Sequence, residues 1–382
     1  MFRIFALMAK KNIFKIIGIM SGTSHDGVDA ALVEIRSHFV PNDQGLNLRL
    51  INHIHVPYRK TLRVDIAKAF NGNTEHICRL NYVLGEIFAK AVLSLLKTAG
   101  LTSSDIDAVA SHGQTIYHIP PSKGKNTSTL QIGEAAIIAE RTKILTVSDF
   151  RARDIAAGGN GAPLVSLPDY LLFGRAGKRR AILNIGGIAN VTVVSEKRED
   201  TIAFDCGPGN SLIDEAVKLS TTDKYSYDRN GSIARQGKVN EKLLSRLLSH
   251  PYFRIGPPKS TGREAFGTDY AKHMIKVYEK IEQRDFICTL THLTAVSICR
   301  AITPFKPDEI IVTGGGAKNS FLMTLLKDLF QGIAFRSITD HGIPIEAKEA
   351  VSFAILGYET LTGRPGNIPS ATGAKHSVVL GK

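Results

Sequence analysis

The sequence predicts an α/β protein made of two lobes of one design. Three observations carry this. Strand-length apolar runs alternate with longer helical patterns from end to end. The stretch "RAILNIGGIANVTVVS", two strands meeting at Gly186–Gly187, repeats the layout of "GIMSGTSHDGVDAALVEI" near the start: apolar strand, glycine-containing turn, apolar strand. Finally, 382 residues are long for one core, given the roughly 100–200 residues usual per domain. The boundary falls near residues 175–181. An N-terminal lobe is expected over 1–178 and a C-terminal lobe over 179–382, with the last helix free to pack back on the first lobe. No linker composition separates the halves, so a ligand cleft between them is expected.

Residues 1–13 read as a basic, apolar leader without a small-residue cleavage site, and the first strand is expected near Phe14. "TEHICRLNYVLGEIFAKAVLSLLKTAG" has apolar residues at helical spacing and ends on Gly100 as a C-cap. "DIDAVASHGQTIY" then reads as a strand with a polar tip, "EAAIIAERT" as a helix, "ILTVSDF" as a strand and "DIAAGGNGAPL" as a loop. After the second hairpin, "TIAFDCGPGNSLIDEAVKL" gives strand, loop and helix. "DEIIVTGGGAKNSFLMTLLKDLF" gives another such unit.

Composition narrows the function class. Cys78, Cys206, Cys288 and Cys299 show no C-x-x-C pairing, which argues against a disulfide framework or zinc site and favours a reducing cytoplasm. No apolar run reaches the roughly 20 residues that cross a bilayer. The net charge of +13 is scattered rather than blocked and accompanies no nucleic-acid motif, so a solvated basic surface is the reading, with no nucleic-acid or membrane partner.

Three glycine-rich turns carry the chemistry. "SGTSHDG" puts Gly22, Thr23, Ser24, His25, Asp26 and Gly27 in a hairpin turn, with Val28 and Asp29 leaving it. Its backbone N–H groups and hydroxyls suit an anion nest, although Asp-Gly is also an ordinary turn pair. It is not a Walker loop, for it lacks G-K-[ST] and a strand follows. Asp26 or Asp29 can orient Mg²⁺, directly or through water, and Asp26 is the ligand chosen. "FDCGPGN" places Asp205 at a strand tip beside Gly207 and Gly209, a position for a general base or for a turn former. "VTGGGAKN" offers Gly314, Gly315 and Gly316 as a side-chain-free surface for a purine or a phosphate.

Two hairpin loops and a late triple-glycine turn in a duplicated α/β chain resemble the actin, hexokinase and Hsp70 superfamily of ATP-binding proteins. The fold expected is two actin-like (ribonuclease H-like) lobes around an ATP cleft. "MSGTSHDGVD", "SHGQTIYH", "LQIGEAAIIAERT", "DFRARDIAAGGNGAPLV", "LNIGGIANV", "FDCGPGN", "GPPKSTGREAFG", "VTGGGAKN" and "PGNIPSATGA" together resemble the successive motifs of the anhydro-N-acetylmuramic acid kinase family, from about Ile16 to Gly373. The resemblance implies a cytoplasmic, homodimeric kinase of peptidoglycan recycling and amino-sugar catabolism. With ATP, Mg²⁺ and water it opens the 1,6-anhydro ring of its sugar and phosphorylates O6. Asp205 matches the aspartate that activates water, residues 22–29 the phosphate loop, and Gly314–Gly316 the adenosine side. Ser111, His112, Gln114, Asp149, Arg153 and Glu349 are the expected sugar contacts, with Arg151 and Asp154 in the same charged cluster and Lys259 and Arg263 as lobe-closing contacts. His25 departs from the Leu or Met common in the family loop; its backbone N–H is still expected to serve the nest, and its ring to add a pH-sensitive phosphate contact. An ordinary hexose or amino-sugar kinase and an ATP-switched filament or chaperone protein are the competing classes.

Overall fold

The structure, a computed structural model, describes residues 11–22, 25–36, 46–119, 127–222 and 224–382, without the side chains of Arg263 and Glu264. Thr23, Ser24, the side chain of Arg263 and the leader up to Lys10 therefore lie outside the described residues. Two compact units divide the chain, one formed by residues up to Ala176 together with Gly342–Lys382, the other by Gly177–His341.

In the first unit β1 (Ile13–Ser21), β2 (Gly27–Arg36) and β3 (Asn47–Pro57) form an antiparallel meander. β4 (Ala108–Ile119) joins β1 in parallel, and β6 (Thr146–Val147) joins β4 in parallel, while β5 (Ser128–Ile132) pairs antiparallel with the far half of β4. The second unit repeats this scheme. β7 (Arg180–Ile185), β8 (Ile188–Val194) and β9 (Ile202–Pro208) form the meander, and β10 (Glu309–Thr313) and β11 (Ala334–Ser337) extend it in parallel from β7. The expected duplication is thus present as one topology used twice. The "ILTVSDF" strand is shorter than expected and the glycine loop starts later, because Phe150–Ala156 is helical.

Alternating apolar residues bury both faces of the first sheet. Ile17, Ile19, Leu32 and Val109 meet the helix Thr74–Ala99 through Leu84, Phe88 and Val92. Gly100, at φ 67°, ends that helix as expected. On the other face lies the helix Lys348–Leu361, so near to β1 that a Cβ on Gly18 would stand 1.8 Å from the Ala350 carbonyl oxygen. In the second unit the helix Gln283–Ile302 fills the core with Leu290, Leu293, Ala295 and Ile298. The stretch Gln283–Phe305 is long and apolar enough to cross a membrane by length and composition, but 67% of its most apolar window is buried inside the protein, as for a core helix.

Candidate active site

The first glycine turn joins β1 to β2, with Met20 opposite Asp29. Its neck is tied by side chains. The buried Ser21 hydroxyl lies 2.7 Å from Tyr58 Oη and from Gln114 Oε1, and Gln114 Nε2 donates to the Gly22 and Thr115 carbonyls at 3.1 Å. Gln114 is therefore a brace of the turn in this structure. His25 takes a left-handed φ of 40° and its N–H donates to the Gly22 carbonyl at 3.1 Å. Asp26 is exposed and Asp29 partly buried. Burial raises the Asp29 pKa, and a hydrogen bond from His55 opposes the shift.

Within β4, which runs on to Ile119 and so past the polar tip expected of it, His112 is buried and bonded through both ring nitrogens. Nδ1 donates to the Gly113 carbonyl at 2.9 Å, and Nε2 accepts from Arg151 Nε at 3.0 Å. This pattern fixes the neutral tautomer. Burial and then the Arg151 charge hold its pKa well below 6.5. Arg151 also donates to the Gly161 carbonyl at 2.7 Å, and burial lowers its own pKa to about 10, with Glu349 and Asp154 pulling the other way. Glu349 is exposed on the Lys348–Leu361 helix, yet it stands deep enough among protein atoms for desolvation to raise its pKa, against the pull of Lys348 and Arg151 and with a push from Asp29. Asp29, Glu349, Arg151 and His112 thus belong to one electrostatic group. Ser111 is buried beside them in sequence, and its hydroxyl has no hydrogen-bond partner among the described residues.

The 149–154 cluster separates by role. A helix turns residues two apart roughly 200° from one another, so Arg151 faces inward while Arg153 is exposed. Arg151, outside the expected sugar contacts, is the arginine that joins the group. Asp149 pairs with Lys382 at 2.6 Å. Asp154 is fully buried and organises the chain: it accepts from Gly161 N–H at 2.8 Å and from Asn367 Nδ2 and Thr372 Oγ1 at 2.7 Å. The glycine loop and the "PGNIPSATGA" motif are therefore held together by one carboxylate.

The neutral state of His112 has a measurable consequence. Its folded pKa is depressed, so between that value and 6.5 the unfolded chain binds the extra proton and stability falls with falling pH. The expected slope is up to about 1.4 kcal/mol per pH unit below 6.5. His112→Gln, which cannot titrate, should flatten that limb in denaturant melts at pH 7, 6 and 5; an unchanged slope would count against it.

In the second unit Asp205 sits near the end of β9. Its Oδ2 accepts from Thr261 N–H at 2.8 Å, its N–H donates to the Lys259 carbonyl at 3.0 Å, and its carbonyl accepts from Tyr252 Oη at 2.7 Å. The Lys259 ammonium stands 4.5 Å from the Tyr252 ring centroid, and burial lowers its pKa against the pull of Cys206 and Asp205. The "GPPKST" segment thus fixes backbone and side chain of the aspartate together.

The three glycine turns of this unit, at 186–187, 207–209 and 314–316, meet. Gly209, Asn210 and Ser211 donate their N–H groups to the Gly186 and Gly187 carbonyls at 2.8–3.1 Å. Those amides brace the β7–β8 hairpin. Gly314 adopts φ 84°, and a Cβ on it would stand 2.6 Å from Asn184 Oδ1; one on Gly316 would stand 2.3 Å from Ile185 Cγ2. Gly186, Gly187 and Gly315 differ, for a Cβ there meets nothing nearer than 3.5 Å. Neither backbone angle nor internal packing asks for glycine at these three.

Among the described residues no group of three His, Cys, Asp or Glu gathers to hold a metal. Mg²⁺ does not need one, since it is commonly bound through one or two carboxylates, waters and substrate phosphates. The hard oxygens of Asp26 and Asp29 at the turn fit that mode.

Two α/β units of one topology carry glycine turns between their strands, and the second holds the Asp205 carboxylate on the Thr261 amide. The model of the anhydro-N-acetylmuramic acid kinase family matches residues 14–382, and the chain belongs to that family. The anhydro-N-acetylmuramic acid kinase of Caldanaerobacter subterraneus subsp. tengcongensis is 47% identical, over 96% of each chain. That of Bacillus cereus is 44% identical over 96% of this chain and 98% of its own. Among solved structures, the activator of the 2-hydroxyisocaproyl-CoA dehydratase from Clostridium difficile with bound ADPNP is 11% identical, with a TM-score of 0.44 covering 91% of this chain and 96% of its own.

Proposed function

We propose that the enzyme converts 1,6-anhydro-N-acetylmuramic acid, ATP and water to N-acetylmuramic acid 6-phosphate and ADP. Asp205 takes a proton from water as its oxygen bonds to C1. The C1–O6 bond breaks, O6 gains the electron pair and attacks the γ-phosphorus, and ADP leaves. The observation that carries this reading is the placement of Asp205, whose backbone is tied to Lys259 and Tyr252 and whose carboxylate accepts from the Thr261 amide, since a base must be held within hydrogen-bond reach of the proton it removes. The turn 22–29 takes the β- and γ-phosphates, and the open glycines at 186, 187 and 315 take the nucleoside, which fills the space that no side chain occupies. Asp26 and Asp29 would hold Mg²⁺, which when bound would supply charge neutralisation at the phosphates.

Sugar contacts are assigned to Ser111, Glu349 and Arg151. A buried hydroxyl without a partner is costly unless a ligand or water meets it, and a guanidinium suits a substrate carboxylate. His112 and Gln114 act through Arg151 and Ser21. Cytoplasmic location, a homodimer and a place in peptidoglycan recycling and amino-sugar catabolism are part of the same proposal, with membership of the family as their support. Incubation with Mg-ATP and the anhydro sugar in ¹⁸O-water tests the reading. A 6-phosphate product with one ¹⁸O at C1 is expected; phosphorylation of open-ring amino sugars alone would overturn the substrate assignment.

A further inference from the structure

The first glycine turn is held by a segment outside its own motif. β3 is the edge strand of its sheet, and the segment from His55 to Tyr58, which includes its end and the residue that follows it, grips the turn at both ends. At the entry, Tyr58 Oη lies 2.7 Å from Ser21 Oγ; at the exit, Tyr58 N–H donates to the Asp26 carbonyl at 2.8 Å. His55 stands directly opposite Asp29 in the β2–β3 register, and its Nδ1 lies 2.8 Å from Asp29 Oδ1. The imidazole also covers Gly27. A Cβ on Gly27 would come within 2.5 Å of His55 Cε1 and 2.6 Å of Nε2. Gly27 is absent from the positive-φ positions, so this close approach is a reason for glycine there that the turn itself does not supply.

Asp29 needs such a partner. Its side chain is 30% exposed, and the charge of Asp26 repels it. Glu349 lies in the same field. A carboxylate among like charges lowers its energy by swinging away from them, and a hydrogen bond from a neighbouring strand opposes that motion. His55 is exposed on this edge strand, but its ring lies against the Gly27 backbone and its own backbone belongs to β3, which limit its motion.

We propose that His55 is a positioning residue for phosphoryl transfer, acting through its Nδ1–H to hold the Asp29 carboxylate in one orientation at the exit of the phosphate turn. The proposal rests on the reading that residues 22–29 take the phosphates of ATP with their Mg²⁺. Hydrogen bonds to metal-orienting carboxylates typically matter 10–100-fold in affinity or rate, and that is the scale expected here.

Two substitutions separate the hydrogen bond from the packing. His55→Phe keeps a ring over Gly27 and removes the donor. His55→Asn gives up the ring and keeps a donor, since its Nδ2 can take the place of Nδ1. Asp29→Asn is the control. Each full-length variant is assayed for kcat and KM with Mg-ATP, and for Mn²⁺ affinity in the presence of ADP by water-proton relaxation. His55→Phe should lose about 10–100-fold in kcat/KM and weaken Mn²⁺ binding in parallel, with His55→Asn restoring most of both. Unchanged activity and Mn²⁺ affinity in His55→Phe, or equal damage in the two variants, would overturn the proposal. If Asp29→Asn itself matches the unmodified enzyme in both measurements, the assignment of the turn's carboxylate fails instead. An impaired Asp29→Asn beside a fully active His55→Phe defeats only the role of His55.

Discussion

Asp205→Asn is expected to abolish turnover while leaving the protein folded. Removal of a general base typically lowers rate by about 10²–10⁴-fold, and here no other carboxylate is fixed in the same way within the second unit's "FDCGPGN" and "GPPKST" segments. Asparagine is nearly the same size. Its side-chain oxygen can still accept from Thr261 N–H, and the backbone bonds to Lys259 and Tyr252 do not involve the side chain. Stability should therefore change little. Nucleotide affinity should also survive, because the substitution removes an interaction made during reaction rather than on binding. Coupled ADP-release assays, a nucleotide titration and a thermal melt check the three parts. Activity within tenfold of the unmodified enzyme would show that water is activated elsewhere.

Some of this was legible in the sequence for a physical reason. Glycine turns between apolar runs fix hairpins locally, so β1–β2 and β7–β8 follow from "SGTSHDG" and "IGG" without tertiary information. Other features depend on facing or register. Arg151 and Arg153 are two residues apart and equivalent by composition, and only the helical turn sends one to His112 and the other to solvent. β3 escapes a period-2 reading because its pairing with β2 shifts between Leu32 and Val33. That skips Ile51 and reverses the parity of the histidines that follow. The contact of His55 with Asp29 is thus a product of a bulge. Gln114 and the amides of Gly209, Asn210 and Ser211 carry the residue types of a ligand site, yet their hydrogen bonds are internal. Residue type announces a capacity to bond; the fold decides with what.

The same distinction divides the glycines of the second unit and yields a comparison with opposite outcomes. Gly316→Ala should damage the fold. Its Cβ would lie 2.3 Å from Ile185 Cγ2, a fully buried side chain at the end of β7, and overpacking of a core commonly costs about 1–3 kcal/mol. Gly315→Val should leave the fold intact. Its Cβ has only Asn210 Nδ2 within 4 Å, at 3.9 Å, and its φ lies outside the left-handed region. What the valine fills is the space assigned to the nucleoside, so its expected effect is a loss of ATP affinity of at least about tenfold, or roughly 1.4 kcal/mol. Calorimetric titration with ADP and a melt on each variant read both quantities. A Gly315→Val protein that binds ADP normally would move the nucleoside off the triple-glycine turn. Weakened binding in Gly316→Ala would not place it there, because that variant also disturbs β7. An open glycine discriminates here because its replacement perturbs a ligand before it perturbs the protein.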